Sequence, residues 1–359
     1  HADGAWVCYF AAMISREPTP RAEGLAATDS GPAPVLPMSS YVYQQYLHLA
    51  QTDTITVDPH KTGYLPYPAG ALCYRNKLMR NLVAFSAPYT NTGDIDNGPA
   101  DPCRPDTGPD YPEEDLVMGL YGIEGSKPGA AAAGVYLSHA VIPTDPSGYG
   151  TLLGRTLFNC KLFHLVLLGL NWTYDDFYVV PVPYIGNGSV NGDKVRAALE
   201  ALPGKNHNEI FQTPQIMEFL KEQGADLNII CFAFNFKDAT GNWNTSLAAA
   251  NKFNQDIFDR CGVKLHDNIH DYRFVTSATS FPLDGYGEVF FNDYAGRLLK
   301  QEGTASWDSD SISVMRSVIM DPWLTESRDG KPFLIDVVKE FGAIVCEVVQ
   351  KMNEDTEAK

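Results

Sequence analysis

The segment TVDPHKTGYLPYPAG, residues 56–70, is the most informative stretch of the sequence. It continues a short β-branched run, residues 54–57, which predicts a strand that delivers Asp58 to a turn. The turn is rich in Pro and Gly and carries Lys61 next to His60. A lysine that such a turn shields from water loses its proton more readily, and the neutral amine attacks carbonyl groups to form a Schiff base. The alternative for an isolated His-Lys pair is an ordinary surface lysine, so the rest of the sequence must decide.

A second segment, residues 1–6, reads HADGAW and also predicts the end of a strand that runs into a turn of small residues. It presents Asp3 where little bulk surrounds the carboxylate. In pyridoxal phosphate enzymes a carboxylate pairs with the pyridine nitrogen and keeps it protonated, so that the ring accepts electrons from the substrate. Asp3 suits that task, and its alternative role is that of a turn or capping residue.

The remaining pattern alternates strands with helices, which predicts an α/β protein with a smaller α+β segment at the end. Strands are expected at residues 54–57, 177–182, 227–235 and 274–277. Helices are expected at residues 38–51, 129–141, 152–168, 213–223, 246–260 and 332–352. Two regions rich in Pro and Gly predict a connecting loop at 12–37 and a long, acidic, mobile loop at 90–116.

Both segments resemble motifs of one enzyme family. The family's HxDxAxxG strand end is similar to residues 1–8, and its DPHK followed by GYxPYxAGG is similar to residues 58–71. Shorter likenesses follow in the family's order at residues 125–130, 148–150, 226–228, 274–277 and 314–316. The chain therefore resembles the group II pyridoxal phosphate-dependent amino-acid decarboxylases over nearly its whole length, and the tyrosine decarboxylases among them most closely.

This resemblance implies the fold type I pyridoxal phosphate-dependent transferase fold, which is also described as aspartate aminotransferase-like. The chain would contain the second part of the large domain and a small C-terminal α+β domain. We expect residues 1–170 to belong to the large cofactor-binding domain and residues 171–359 to form the small domain.

The resemblance also implies roles for the residues of the two motifs. Lys61 would hold pyridoxal 5'-phosphate as an internal aldimine, and Asp3 would pair with its pyridinium nitrogen. Ala5 would pack under the ring, and His1 would also belong to the cofactor-binding set. His60 would contact the cofactor's phosphate or the incoming substrate. No metal site is expected, because the histidines and acidic residues lack the spacing of a ligand set.

Two tyrosines are alternatives for the residue that protonates the α-carbon after carbon dioxide leaves. Tyr67 matches the tyrosine of the family's GYxPY segment, and Tyr89 resembles the tyrosine of the family's mobile loop. Either one can instead be a packing residue. Val318 is expected in the substrate pocket, where tyrosine decarboxylases tend to have serine, so a less polar substrate than tyrosine is an option.

The sequence also departs from the family pattern. Gly4 stands where the family usually has Ala, and Cys8 where it usually has Gly. The family's dimerising segment and phosphate-binding serines precede the strand at which this sequence starts. Either a separate upstream polypeptide supplies them, or the chain is a remnant that has lost them. The resemblance also implies a homodimer with its active site at the subunit interface.

The charge of the chain limits its partners. Lys plus Arg number 27 and Asp plus Glu 44, which gives a formal net charge of −17. Such a surface repels phosphate backbones, so neither nucleic acid nor an anionic membrane is an expected partner, and a small amino-acid substrate is. Seven scattered cysteines without a CxxC pair favour reduced thiols and a cytoplasmic location.

Three functions remain open at this point. The first is decarboxylation of an aromatic or bulky apolar L-amino acid to the amine and carbon dioxide. The second is a non-catalytic relative with a binding or structural role. The third is decarboxylation coupled to oxidative deamination, which yields an aldehyde in place of the amine.

Overall fold

Seven strands make two separate sheets in the part of the chain that the structure describes. This computed structural model describes residues 1–14, 38–76, 78–79, 128–182, 192–301, 306–325 and 332–357. The expected loop at 90–116, Tyr89 and most of the expected loop at 12–37 lie outside the described residues. The described residues form two compact units, the first ending at Thr151 and the second starting at Leu152, with Met38 assigned to the second. The expected domain boundary after residue 170 stays a prediction. It refers to the domains of the family, whereas the two units are defined by their compactness.

The first unit contains a three-stranded sheet in the order β1-β2-β3, formed by Ala2–Asp3, Thr54–Val57 and Ala71–Tyr74. β1 runs parallel to β2, and β3 runs antiparallel to it. The strand predicted at 54–57 is confirmed. β3 was not predicted. Its pairing with β2 defines it as a strand, and its own short sequence carries no clear strand pattern.

Two helices of the first unit match their predictions. α1 (Ser40–His48) continues as a 3₁₀ turn to Gln51, and the Ser39 hydroxyl caps it by accepting a hydrogen bond from the Val42 amide. α2 (Gly129–Val141) covers the predicted range, with Pro128 as its N-cap. The Tyr9 hydroxyl lies 2.9 Å from Nε2 of His139 on α2, which ties this helix to the segment after β1.

The second unit contains a four-stranded antiparallel sheet in the order β4-β5-β7-β6. Its strands are Phe177–Val182 (β4), Ile229–Phe236 (β5), Ser277–Pro282 (β6) and Ser311–Val318 (β7). β4 and β5 confirm their predictions to within two residues. The strand predicted at 274–277 is wrong, since the actual strand begins at Ser277. Pairing with β7, which the sequence did not reveal as a strand, sets that start.

Helices cover both faces of this sheet, which explains why β5 is apolar except at Asn235. The described helices from residue 149 onwards are α3 (Tyr149–Thr173), α4 (Gly192–Glu200), α5 (His207–Phe211), α6 (Pro214–Glu222), α7 (Leu247–Cys261), α8 (Leu283–Tyr286), α9 (Glu288–Leu299) and α10 (Phe333–Glu357). Phe232 and Phe234 of β5 belong to one hydrophobic cluster with Phe341 of α10. Ala233 belongs to a second cluster with Tyr294 of α9. The alternation places the two clusters on opposite faces of the sheet.

α3 begins at the last residues of the first unit and is longer than its predicted range of 152–168. By length and composition alone it could cross a membrane, since an 18-residue window has a mean hydropathy of 1.2. However, 89% of that window is buried inside the protein, as in the core helix of a globular domain. The expected mixed α/β class is confirmed at this level of detail.

Candidate active site

The turn after β2 is held by its own backbone. The Lys61 amide donates to the Asp58 carbonyl at 2.9 Å, and the Leu65 amide donates to the Pro59 carbonyl at 3.1 Å. The His60 amide donates to the Ala69 carbonyl at 3.3 Å, which closes the two ends of the segment on each other. These backbone hydrogen bonds therefore fix the positions of Lys61 and His60 in the turn.

Asp58 contacts both functional candidates of this turn. Its Oδ2 lies 2.8 Å from Lys61 Nζ and 3.8 Å from His60 Nε2. The lysine side chain is 33% exposed and the aspartate side chain 16%, so the ion pair is partly shielded from water. Sequence reasoning missed Asp58 as a site residue, although its position three residues before Lys61 in a tight turn was a usable signal.

His60 is oriented from two sides. Its Nδ1 lies 2.5 Å from the Ala69 carbonyl oxygen. Because a carbonyl can only accept, Nδ1 carries a proton and Nε2 is the nitrogen that faces Asp58. The imidazole also lies against the Tyr67 ring, with 4.0 Å between ring centroids. Tyr67 is 76% exposed, so solvent and small molecules can reach it.

Asp3 lies at the carboxyl end of β1, in register with Thr56 of β2. The carboxylate is exposed, and its Oδ1 accepts a hydrogen bond from the Ala5 amide at 3.1 Å. This contact is the local turn interaction that the alternative interpretation of Asp3 expected. The ring nitrogens of His1 lie 2.7 Å from the Thr54 hydroxyl and 3.3 Å from the Thr56 hydroxyl, so the histidine is bound to the neighbouring strand.

The two departures from the family pattern fit each other. A Cβ added at Gly4 would lie 2.1 Å from the Cys8 sulfur and 2.8 Å from the Thr56 carbonyl oxygen. The Cys8 side chain thus fills the space that an alanine at position 4 would need. Burial, with smaller contributions from Cys73 and Asp3, raises the pKa of the Cys8 thiol to about 11, so the group behaves as a small packing residue.

Buried contacts fix the lysine turn to the rest of the first unit. Thr62 is fully buried and its hydroxyl donates to the Trp6 carbonyl at 2.8 Å. The Tyr149 hydroxyl lies 2.8 Å from the Gly63 carbonyl oxygen. A Cβ at Gly63 would come within 2.7 Å of the Tyr9 ring, so this position requires glycine.

Val318 lies at the end of β7 in the second unit, whereas the other described site candidates lie in the first. It lines a cavity of about 350 Å³ together with Arg316 and Phe274. Its assignment to the substrate pocket stays a prediction. The same holds for the choice between Tyr67 and Tyr89, because Tyr89 lies outside the described residues.

The chemistry of this donor set fits pyridoxal phosphate. A primary amine, Lys61, is available to the aldehyde, and an exposed carboxylate, Asp3, is available to the pyridine nitrogen. Two small residues, Gly4 and Ala5, follow the carboxylate. The parallel pairing of β1 with β2 brings the carboxyl ends of both strands to one edge of the sheet.

Comparison with known proteins finds tyrosine decarboxylases among the similar proteins. The family profile described as "Tyrosine decarboxylase, C-terminal" matches residues 206–341. The chain is 28% identical over 312 residues to the L-tyrosine decarboxylase of Enterococcus faecium, which is 86% of this chain and 40% of that protein. It is 26% identical over 293 residues to the L-tyrosine decarboxylase of Enterococcus faecalis, covering 81% of this chain and 37% of that protein. A shorter match of 42 residues, 43% identical, joins 12% of the chain to 11% of the L-aspartate decarboxylase of Thermococcus kodakarensis.

The chain thus spans about two fifths of the length of the tyrosine decarboxylases it matches, 40% and 37% in the two cases. These matches cover more than four fifths of the chain, including segments from both units. The family profile lies in the second unit alone. In its motifs and in these matches, the chain is similar to the tyrosine decarboxylases, and the matching profile describes their C-terminal region.

Proposed function

We propose that this chain carries the cofactor-anchoring lysine and the cofactor-pairing aspartate of an amino-acid decarboxylase. Its substrate would be an aromatic or bulky apolar L-amino acid, and its products the amine and carbon dioxide. One observation carries the proposal: Asp3 ends β1 and the Lys61 turn follows β2, and these two strands are adjacent and parallel. Ligands of α/β proteins bind at such carboxyl ends.

Pyridoxal phosphate, when bound, supplies the electron sink for the bond that breaks at the α-carbon. Lys61 would hold the cofactor's aldehyde carbon, and Asp3 would hold a proton on the pyridine nitrogen. Asp58 lies 2.8 Å from Lys61 Nζ and would hold the amine in place whenever it is free. His60, fixed by the Ala69 carbonyl and the Tyr67 ring, would orient the substrate or the phosphate.

Tyr67 is our choice for the proton donor to the α-carbon among the described residues. It follows Lys61 in the same turn, contacts His60 and is 76% exposed. A tyrosine donor suits a step in which the proton must arrive at carbon after carbon dioxide has left. Tyr89 remains the alternative donor.

The fold type I architecture and a homodimeric active site are part of the same proposal, and the resemblance to the decarboxylase family supports them. Because the chain spans about 40% of the relatives' length, we propose that other parts of the site, including the phosphate-binding residues, come from polypeptide outside this sequence. A cytoplasmic location is proposed for the same assembly.

Product analysis tests the proposed reaction. Native material containing this chain would be incubated with pyridoxal phosphate and either L-phenylalanine or L-tyrosine. We expect the corresponding amine and an equal amount of carbon dioxide, and we expect Lys61→Ala to abolish both. Lys252→Ala is the matched control, because Lys252 lies on the surface of α7 and pairs with Asp256 of the same helix. An aldehyde product would show that the reaction is decarboxylation coupled to oxidative deamination. The absence of any product from native, cofactor-loaded material would favour a non-catalytic role.

A further inference from the structure

An open groove of about 700 Å³ lies in the second unit, between the C-terminal half of α3, α4 and the start of α10. Its size is within the range of small-molecule sites. It lies apart from the cavity that Val318 lines, since the two share no residue. The proposed reaction does not use any residue of this groove.

The floor of the groove is apolar and well packed. Val166 and Leu170 of α3 and Val338 of α10 are buried there. Gly169 lets α4 approach α3, because a Cβ at this position would lie 3.1 Å from Leu199 Cδ2. At one end, Trp172 is 47% exposed and offers an aromatic surface to a ligand.

Charged side chains of both signs line the groove on two helices. Arg196 and Glu200 lie on α4, and Asp336 and Lys339 lie on α10. All four are exposed, and none forms an ion pair with a residue in the described part of the chain. Each of the two helices therefore places beside the apolar floor one cation and one anion that form no ion pair with a described residue.

We propose that this groove binds an α-amino acid with a large apolar or aromatic side chain, in its zwitterionic form. Arg196 or Lys339 would receive the carboxylate, and Glu200 or Asp336 the ammonium group. The side chain would cover the apolar floor and contact Trp172. An apolar ligand would use none of the four charges, and a singly charged ligand would use only one sign.

The proposal concerns a second site and does not depend on chemistry at Lys61, although the ligand class overlaps with the proposed substrate class. Occupation by an amino acid that the enzyme consumes would make the second unit a sensor of substrate supply. The amine product lacks the carboxylate and would bind more weakly. The groove would therefore distinguish substrate from product.

Nuclear magnetic resonance of the ¹⁵N-labelled, full chain tests this proposal. The indole signal of Trp172 would be assigned with Trp172→Phe and followed during titration with L-phenylalanine. Trp323 is the matched control, because it is 53% exposed and lies outside the groove. We expect the Trp172 signal to move and the Trp323 signal to stay.

Two analogues and one variant pair test the charge argument. Phenethylamine lacks the carboxylate and 3-phenylpropionate lacks the ammonium group, and each should bind about fivefold more weakly than L-phenylalanine, as expected for the loss of an exposed ion pair. Arg196→Gln combined with Lys339→Gln should weaken L-phenylalanine binding by at least the same factor. Lys221→Gln, on the surface of α6, should have no effect.

The proposal is overturned if L-phenylalanine leaves the Trp172 signal in place, or if both analogues bind as tightly as the amino acid. The analogue series uses the unmodified chain, so it decides the question even if the double variant fails to fold. If Lys61 proves not to bind the cofactor, the result of this titration still stands. If the titration shows no binding in the groove, the proposed role of Lys61 still stands.

Discussion

The two units differ in where their stability and their chemical groups lie. The second unit buries two large hydrophobic clusters on the two faces of its sheet. The buried apolar side chains described in the first unit are few: Tyr9, Phe10, Ala12, Tyr46, Ala69 and Tyr149. Yet Lys61 and Asp3, the residues proposed to hold the cofactor, and Asp58 beside Lys61 all lie in the first unit. The site is therefore stabilised by specific hydrogen bonds and close packing, whereas the second unit is stabilised by the burial of many apolar side chains.

We expect the largest loss of stability from a substitution in the hydrophobic core of the second unit. Phe341 is fully buried, stacks on Phe274 at 4.3 Å between centroids and lies 5.7 Å from the Phe232 ring. Phe341→Ala should lower the free energy of unfolding of this unit by about 3–5 kcal/mol, because it leaves a cavity among rings. Urea denaturation measures it. Phe333→Ala on the same helix is the control, since Phe333 is 55% exposed, and equal losses for the two variants would refute the assigned core.

A second prediction concerns acid stability of the same unit. His164 is fully buried with neither ring nitrogen hydrogen-bonded to a described residue, and burial, aided by the nearby Lys161, lowers its pKa to about 3. The unfolded chain binds a proton here near pH 6.5 and the folded chain does not, so stability is present above pH 6.5 and is lost as the pH falls towards 3. We expect a slope of about 1.4 kcal/mol per pH unit.

Replacing the buried imidazole isolates this contribution. His164→Phe should flatten the slope of the unfolding free energy between pH 6 and 4, measured by urea denaturation at a series of pH values. His270→Gln is the matched control, because His270 is exposed and should leave the slope unchanged. An unchanged slope in His164→Phe would contradict the buried, neutral state of His164.

In the first unit, we expect the Gly4 and Cys8 substitutions to compensate each other. Gly4→Ala alone should destabilise the unit by about 1–3 kcal/mol, because its Cβ would meet the Cys8 sulfur at 2.1 Å. Adding Cys8→Gly should recover part of that loss. A thermodynamic double-mutant cycle by urea denaturation measures the coupling. Strictly additive effects would mean that the thiol and position 4 do not compete for space.

The smallest effect is expected at the ion pair of the site. Asp58→Asn should cost less than about 1 kcal/mol of unfolding free energy, since exposed or half-exposed ion pairs contribute little. The loss should shrink in about 1 M salt, where charges are screened. Asp53→Asn is the control, because its pair with Arg75 is more exposed, at 62% and 57%, and should contribute less still. A loss of several kcal/mol would mean that Asp58 supports the fold and not only the amine.

The sequence predicted local features well. The strand at 54–57, the α2 range and the turn around Lys61 depend on neighbouring residues alone, and all three match the structure. β6 was misplaced and β7 missed, because their limits depend on pairing between strands distant in sequence. Asp58 was missed because its role appears only when the turn brings its carboxylate to Lys61 Nζ. The groove of the second unit was missed because three separate helices form it.

The central claim is that Lys61 is the cofactor-bearing residue of the first unit, and reductive trapping tests it most directly. Native material would be loaded with pyridoxal phosphate and reduced with borohydride. The intact mass of every polypeptide would then be measured and the adduct mapped by peptide analysis. Our account predicts a pyridoxyl adduct on Lys61 that Lys61→Ala removes and Lys252→Ala retains. An adduct confined to another lysine, or loaded native material without any adduct on this chain, would contradict it.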